Sequence, residues 1–195
     1  MKNKSLWIFT IGCFLLILIY FLNTYIKSNN FPSIKEISKG YIYSNEDREL
    51  VIEDSPDNIY EYNVIKYISS KISGDFEDVF DELLLSPYDS ITINNLKKQY
   101  TEGYGAKNIV IHAINTYETL DDLKEDGHDS NRLGNLDIQN INLDINKIVH
   151  VLYDFNYTEK SITEDHMTFS EGIKSQHYII NKTNNKILFI EFLGN

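Results

Sequence analysis

The chain has 195 residues, with 29 acidic against 18 basic side chains, a formal net charge of −11 and one cysteine. Lys2, Lys4 and Lys27 are the only charged side chains before Ser28, so the remainder carries 15 basic and 29 acidic groups, a formal charge of about −14. So acidic a surface repels phosphate backbones and argues against nucleic-acid binding. With Cys13 the sole cysteine, the region past residue 27 has no disulfide framework, thiol nucleophile or Cys zinc site.

The first element is apolar. "LWIFTIGCFLLILIYFLNTYI" carries no charge and spans residues 6–26. A helix of about 20 such residues matches the hydrocarbon core of a bilayer. Lys2 and Lys4 precede it and only Lys27 follows closely, which orients residues 1–5 to the cytoplasm and residue 28 onward outside. The "TIGC" at 10–13 is close to a lipoprotein signal. However, a lipidated Cys13 would leave "FLLILIYFL" as the new N-terminus, and "NTYIKSNN" offers no small-x-small cleavage site. An uncleaved signal anchor is the expectation, with lipidation at Cys13 and leader cleavage as the alternatives. A polar tether over 27–40 follows.

Next, "YIYSNEDRELVIED" reads as a β-hairpin over 41–53, turning at 45–48. Residues 55–74 form a helix in which Ser55 caps and Pro56 suits the first turn. Tyr60, Val64, Ile68 and Ile72 make its apolar stripe, and Gly74 ends it. "DFEDVFDELLLSP" is a second helix, capped by Asp75, with Phe76, Val79, Phe80, Leu83 and Leu84 on one face. "SITINNLKKQY" is a third, turning Ile93, Leu96 and Tyr100 inward and stopping at Gly103.

The period then changes from helical to extended. "KNIVIHAINTY" is a strand, residues 118–146 are a polar exposed loop, and "KIVHVLYDFNYT" is the clearest strand. Val149, Val151, Tyr153, Phe155 and Tyr157 share one of its faces. "KSQHYIINK" and "KILFIEFL" flank "TNN" as a terminal hairpin. The last strand has apolar residues on both faces, so both need a cover. The tethered 41–52 hairpin is the favoured second cover, and another copy of the chain, a homodimer, is the alternative. The fold class is therefore α+β: an N-terminal span, a β-hairpin, and about three helices packed on a curved, mostly antiparallel sheet.

The run "NVIKYISSKISGDFEDVFDELLLSP", with "SGD" at 73–75 as the turn between two helices, resembles the opening of nuclear transport factor 2-like (cystatin-like) domains. The third helix, the strand "IVIHAI", the long strand and the terminal hairpin extend the resemblance over 59–195, leaving the 41–53 hairpin as an accessory. The resemblance implies a cone-shaped pocket between curved sheet and helices. It also implies either a non-catalytic binding or assembly domain or, in some relatives, an isomerase or dehydratase. Membrane-anchored extracytoplasmic versions occur in Gram-positive bacteria, and some serve as assembly subunits of secretion or conjugation channels.

Motifs add little chemistry. Of the five histidines, His112, His150 and His177 lie on expected strands. His150 and Asp154 share a face but are about 13 Å apart along the strand, so each needs a cross-strand partner such as His112 or His177. A His next to a carboxylate is the candidate general base, making a pocket enzyme of isomerase, dehydratase or hydrolase type the alternative function. "EDGHD" at 125–129 lacks calcium-loop and zinc spacing, and no phosphate or dinucleotide fingerprint occurs. No catalytic residue, metal or cofactor is assigned. Tyr100, Tyr104, Tyr117, Tyr153 and Tyr157 gather at the helix-to-sheet junction, where tyrosine offers area plus a hydroxyl. The expected pocket or interface residues are therefore His112, His150, Asp154, Tyr100, Tyr104 and Tyr153. The expected function is an anchored, non-catalytic domain binding an unidentified protein or small ligand.

Overall fold

A computed structural model describes residues 31–127, 145–167 and 170–193. The chain divides into two units, 1–32 and 33–195. The expected anchor at 6–26 lies outside the described residues. Among those that are described, no helix is long and apolar enough to cross a membrane.

The second unit is α+β. A 3-10 turn, Ile34–Glu36, leads into the hairpin β1 (Tyr41–Asn45) and β2 (Arg48–Ile52), with Glu46 at φ 55° in its turn. Helices α1 (Ile59–Ser73), α2 (Phe76–Leu83) and α3 (Ser90–Thr101) follow. The remaining elements are β3 (Ala106–Tyr117), α4 (Leu120–Glu125), β4 (Asn146–Tyr157), α5 (Glu159–Thr163), β5 (Gly172–Asn181) and β6 (Ile187–Leu193). All six strands form one curved sheet in chain order. Every pairing is antiparallel except β2 with β3, which run parallel because α1, α2 and α3 intervene as a crossover.

Alternation sorts the strands into two faces. Helix α1 touches β1, β2, β3 and β4, and against it the inner face buries Leu50, Ile52, Ile109, Ile111, Val151, Tyr153 and Tyr178. Burying each such side chain contributes roughly 1.5–3 kcal/mol. On the reverse face, alternation places Tyr117, Ile148, His150, His177 and Ile179, all buried; α4 packs on β3 and buries Leu123. Strand β3 bulges at two places, one of them between Ile111 and Ala113. His112 is the extra residue there, and a bulge re-aims the side chain it carries.

Four expectations need correction. Helix α1 is capped by Asn58 rather than Ser55, because the Asn58 side chain accepts from the N–H groups of Tyr60 and Glu61. Glu61 reaches back to accept from the N–H of Asp57 at 2.6 Å and from the Asn58 side-chain amide at 2.9 Å, which fixes the chain entering the helix. Leu84 leaves helix α2 and forms a parallel bridge with Ile187, while the N–H of Leu85 donates to the Ile187 carbonyl, so this short stretch protects an edge strand. Within the expected loop, residues 120–125 are helical. Thr119 and Asp122 cap each other's N–H groups, a Thr-x-x-Asp signal visible in the sequence. Finally, the 41–52 hairpin is not the cover of β6. It extends the same sheet at the opposite edge, five strands away.

Candidate functional site

Between the helices and one end of the inner face lies a cavity of about 450 Å³. Helix α1 contributes Tyr67 and Lys71, one turn apart on one face. Phe76 and Phe80 enter from α2, Leu96 and Tyr100 from α3, and Phe155 and Tyr157 from β4. Tyr88, Tyr104 and His166 join the wall from loops, and Thr92 and Gln99 of α3 add polar groups. The rings brace one another. Tyr67 stacks on Phe80 with centroids 5.2 Å apart, and Phe80 meets Tyr88 edge-on at 5.4 Å. Phe76 is edge-on to Tyr100 at 6.1 Å, and Tyr104 stacks on His166 at 4.2 Å.

Two features hold this wall. Gly74 ends α1 at φ 76°, a conformation that favours glycine. A Cβ there would also come within 2.6 Å of the Tyr100 ring, so the ring rests directly on the turn. The Tyr100 hydroxyl donates to the Ile72 carbonyl at 2.7 Å and accepts from Asn45 at 2.8 Å. The second feature is Arg48, only 4% exposed, whose guanidinium sits 4.1 Å from the Tyr100 ring centroid. It donates to the carbonyls of Ala106 and Tyr104 at 2.8 and 3.0 Å. The glycine-rich stretch "TEGYGAK" is thus a backbone shaped around an arginine.

Lys71 is the one cation of the cavity wall among the described residues. Its ammonium lies 6.0 Å from the Tyr67 ring centroid and 5.9 Å from that of Phe155. No carboxylate lines the described wall. Burial among apolar groups pushes the Lys71 amine down to about 8. The residue as a whole is half-buried because the cavity itself gives the ammonium an open side. Burial, with Tyr88 beside it, holds the Tyr67 phenol above its ordinary value, and the bond to Glu164 pushes Tyr104 up to about 12. The arrangement offers an aromatic surface, neutral hydroxyls and a single fixed positive charge.

The expected site residues divide between the two faces. Tyr100 and Tyr104 stand in the cavity wall. Tyr153 lies in the inner core, donating through its hydroxyl to Gln176 at 3.1 Å, and Tyr178 donates to the same oxygen at 2.7 Å. His112, His150 and Asp154 alternate away from Phe155 and Tyr157 and so occupy the reverse face. There His112 bridges Glu53 at 2.7 Å and Asp154 at 3.2 Å. His150 sits 2.7 Å from the Ser175 hydroxyl, its ring 5.1 Å from that of His177. His150 and Asp154 thus find the cross-strand partners that spacing allowed, but outside the cavity. Tyr117 donates to Asp126 on that same reverse side, and His128 and Asp129 of "EDGHD" lie outside the described residues. Among the described residues no cluster of three or more His, Cys, Asp and Glu could hold a metal.

Sequence reasoning passed over Lys71, Phe76, Phe80 and Phe155 as site residues. The usable signal was the pair Tyr67 and Lys71, a lysine one turn after a tyrosine at the border of an apolar stripe. Serines and an asparagine (Asn63, Ser69, Ser70) are also buried on α1, so the helix is enclosed well beyond that stripe. No protein-family model, curated protein or solved structure matches the chain. Its function is therefore argued from this geometry.

Proposed function

We propose that the chain is a single-pass membrane-anchored protein whose larger unit is a non-catalytic binding domain of nuclear transport factor 2-like type outside the cytoplasm. The reading rests on one observation, the 450 Å³ aromatic cavity between sheet and helices. Ligand pockets are concave and mostly apolar with a few placed polar groups, and typical volumes run from about 300 to 1,000 Å³. The uncharged segment 6–26 supplies the bilayer attachment. Binding is favoured over catalysis because His112 and its two carboxylates lie on the reverse face, outside this cavity. A general base needs its substrate within hydrogen-bond reach.

Two measurements test this. Protease added to cells with a permeable wall should digest the region from residue 28 onward and spare the anchor; full protection would refute the orientation. The full chain purified from its membrane should release a small organic molecule on solvent extraction, identified by mass spectrometry. Leu96→Trp, which fills the cavity from α3, should lose it. An unchanged yield from the filled variant would place binding elsewhere.

A further inference from the structure

We infer that the cavity takes an amphipathic monocarboxylate, with the carboxylate on the Lys71 ammonium and the apolar body against the aromatic wall. This deepens the binding reading above and rests on it. The argument starts from the cost of the lysine. An ammonium held among rings without an opposite charge loses hydration and gains only weak attraction from ring faces at 5.9 and 6.0 Å. Other lysines of this chain, themselves half-buried, find acids: Lys66 pairs with Glu82 at 2.6 Å, and Lys97 pairs with Glu77. Twenty-nine acidic side chains were available to the fold. Among the described residues none reaches Lys71, whose amine is perturbed by burial alone.

The rest of the wall fixes the ligand class. The titratable groups around Lys71 are Tyr67, Tyr88, Tyr100, Tyr104, Tyr157 and His166. None of them carries a negative charge at neutral pH, so the counter-charge must arrive with the ligand. One cation compensates one negative charge. A dianion such as a phosphate monoester would leave a charge uncompensated among phenyl rings. A water-sized group occupies about 30 Å³, so 450 Å³ holds roughly fifteen heavy atoms, enough for a carboxylate with a medium-length chain or an aryl group. The strongly acidic exterior repels free anions, so affinity must come from this local contact and the apolar wall.

The test uses the full chain in lipid nanodiscs, with empty nanodiscs as the blank, and equilibrium dialysis of radiolabelled octanoate and octanol. Octanoate should bind at least about tenfold tighter than octanol, the effect of a charge-assisted contact out of water. Lys71→Met, whose fold is checked by circular dichroism, should abolish that preference and leave octanol binding in place. Lys71→Arg should retain part of it. Equal binding of acid and alcohol, or a preference that survives in Lys71→Met, would overturn the carboxylate assignment while leaving the cavity a binding site. Failure of both probes to bind above the blank in the wild type would overturn the cavity reading and this inference together.

Discussion

The two faces of the sheet treat positive charge in opposite ways. On the reverse face His112 is held between two carboxylates, Glu53 at 2.7 Å and Asp154 at 3.2 Å, with a side chain 29% exposed. On the inner face Lys71 faces a cavity of aromatic rings with no described carboxylate in its wall. The first arrangement is what folding alone favours, since pairing offsets desolvation where water still reaches the groups. The second works against stability. An unpaired cation in an apolar cavity disfavours the folded state, and such sites recur where a protein must hold something. The contrast teaches that the acidic excess of the chain is not spread evenly over its basic groups.

The largest way to break the comparison is to collapse the inner face. Gly74→Ala puts a side chain at φ 76° and drives a methyl group into the Tyr100 ring. Strain and overpacking together should destabilise the fold by about 2–4 kcal/mol and remove octanoate binding. Urea unfolding measures the first effect and dialysis the second. A double-mutant cycle with Tyr100→Leu should recover the overpacking part and leave the backbone part. Full additivity in that cycle would show that the ring does not rest on the turn.

Gly74 also shows how much was legible beforehand. As the end of a helix it was visible from the pattern, because a glycine after an apolar stripe and before a new cap is a local signal. Its second duty, receiving the Tyr100 ring from 26 residues away, depends on how α3 packs and leaves no local trace. The same division runs through the fold. The hairpin, three long helices and four later strands followed from periodicity within single segments. The parallel pairing of β2 with β3 and the hairpin's position at the edge opposite β6 are long-range choices with no local period. The tyrosines of the junction were readable as a cluster, but only the strand alternation and the bulge at His112 decide which residues face the cavity. Lys71 was hidden because a lysine on a helix reads as a solvated face until the surrounding elements enclose it.

Lys71→Met sharpens the comparison with an effect of opposite sign. The wild-type amine falls from its usual 10.5 to about 8 on folding. Each such unit corresponds to about 1.4 kcal/mol, and water in the cavity reduces the effect, so methionine should stabilise the fold by about 2 kcal/mol at neutral pH. The sign follows from linkage. Between pH 8 and 10.5 the unfolded chain keeps a proton that the folded chain has released, so wild-type stability rises with pH through that window. The penalty is complete below about 8, and the advantage of Lys71→Met should vanish as pH approaches 10.5. Urea unfolding of both proteins from neutral to alkaline pH checks this. A destabilised methionine variant at neutral pH would mean that the ammonium has an interaction worth more than its burial costs.

The smallest effect belongs to the reverse face and runs the other way with pH. Glu53 first, and Asp154 after it, raise the His112 imidazole above its ordinary value. A group raised on folding contributes stability that is complete below its unfolded value, about 6.5, and is lost as pH rises through the folded value. His112→Gln should therefore destabilise the fold by less than about 1 kcal/mol near pH 6, where the pair is partly exposed and screened. Well above the folded value the imidazolium is gone and the difference should close to about zero. Salt should weaken the effect at the lower pH and leave the higher pH unchanged. A constant difference at both pH values would assign His112 a packing role in its bulge in place of an ionic one. The two faces would then differ only in shape, whereas opposite slopes for His112→Gln and Lys71→Met would separate them by charge.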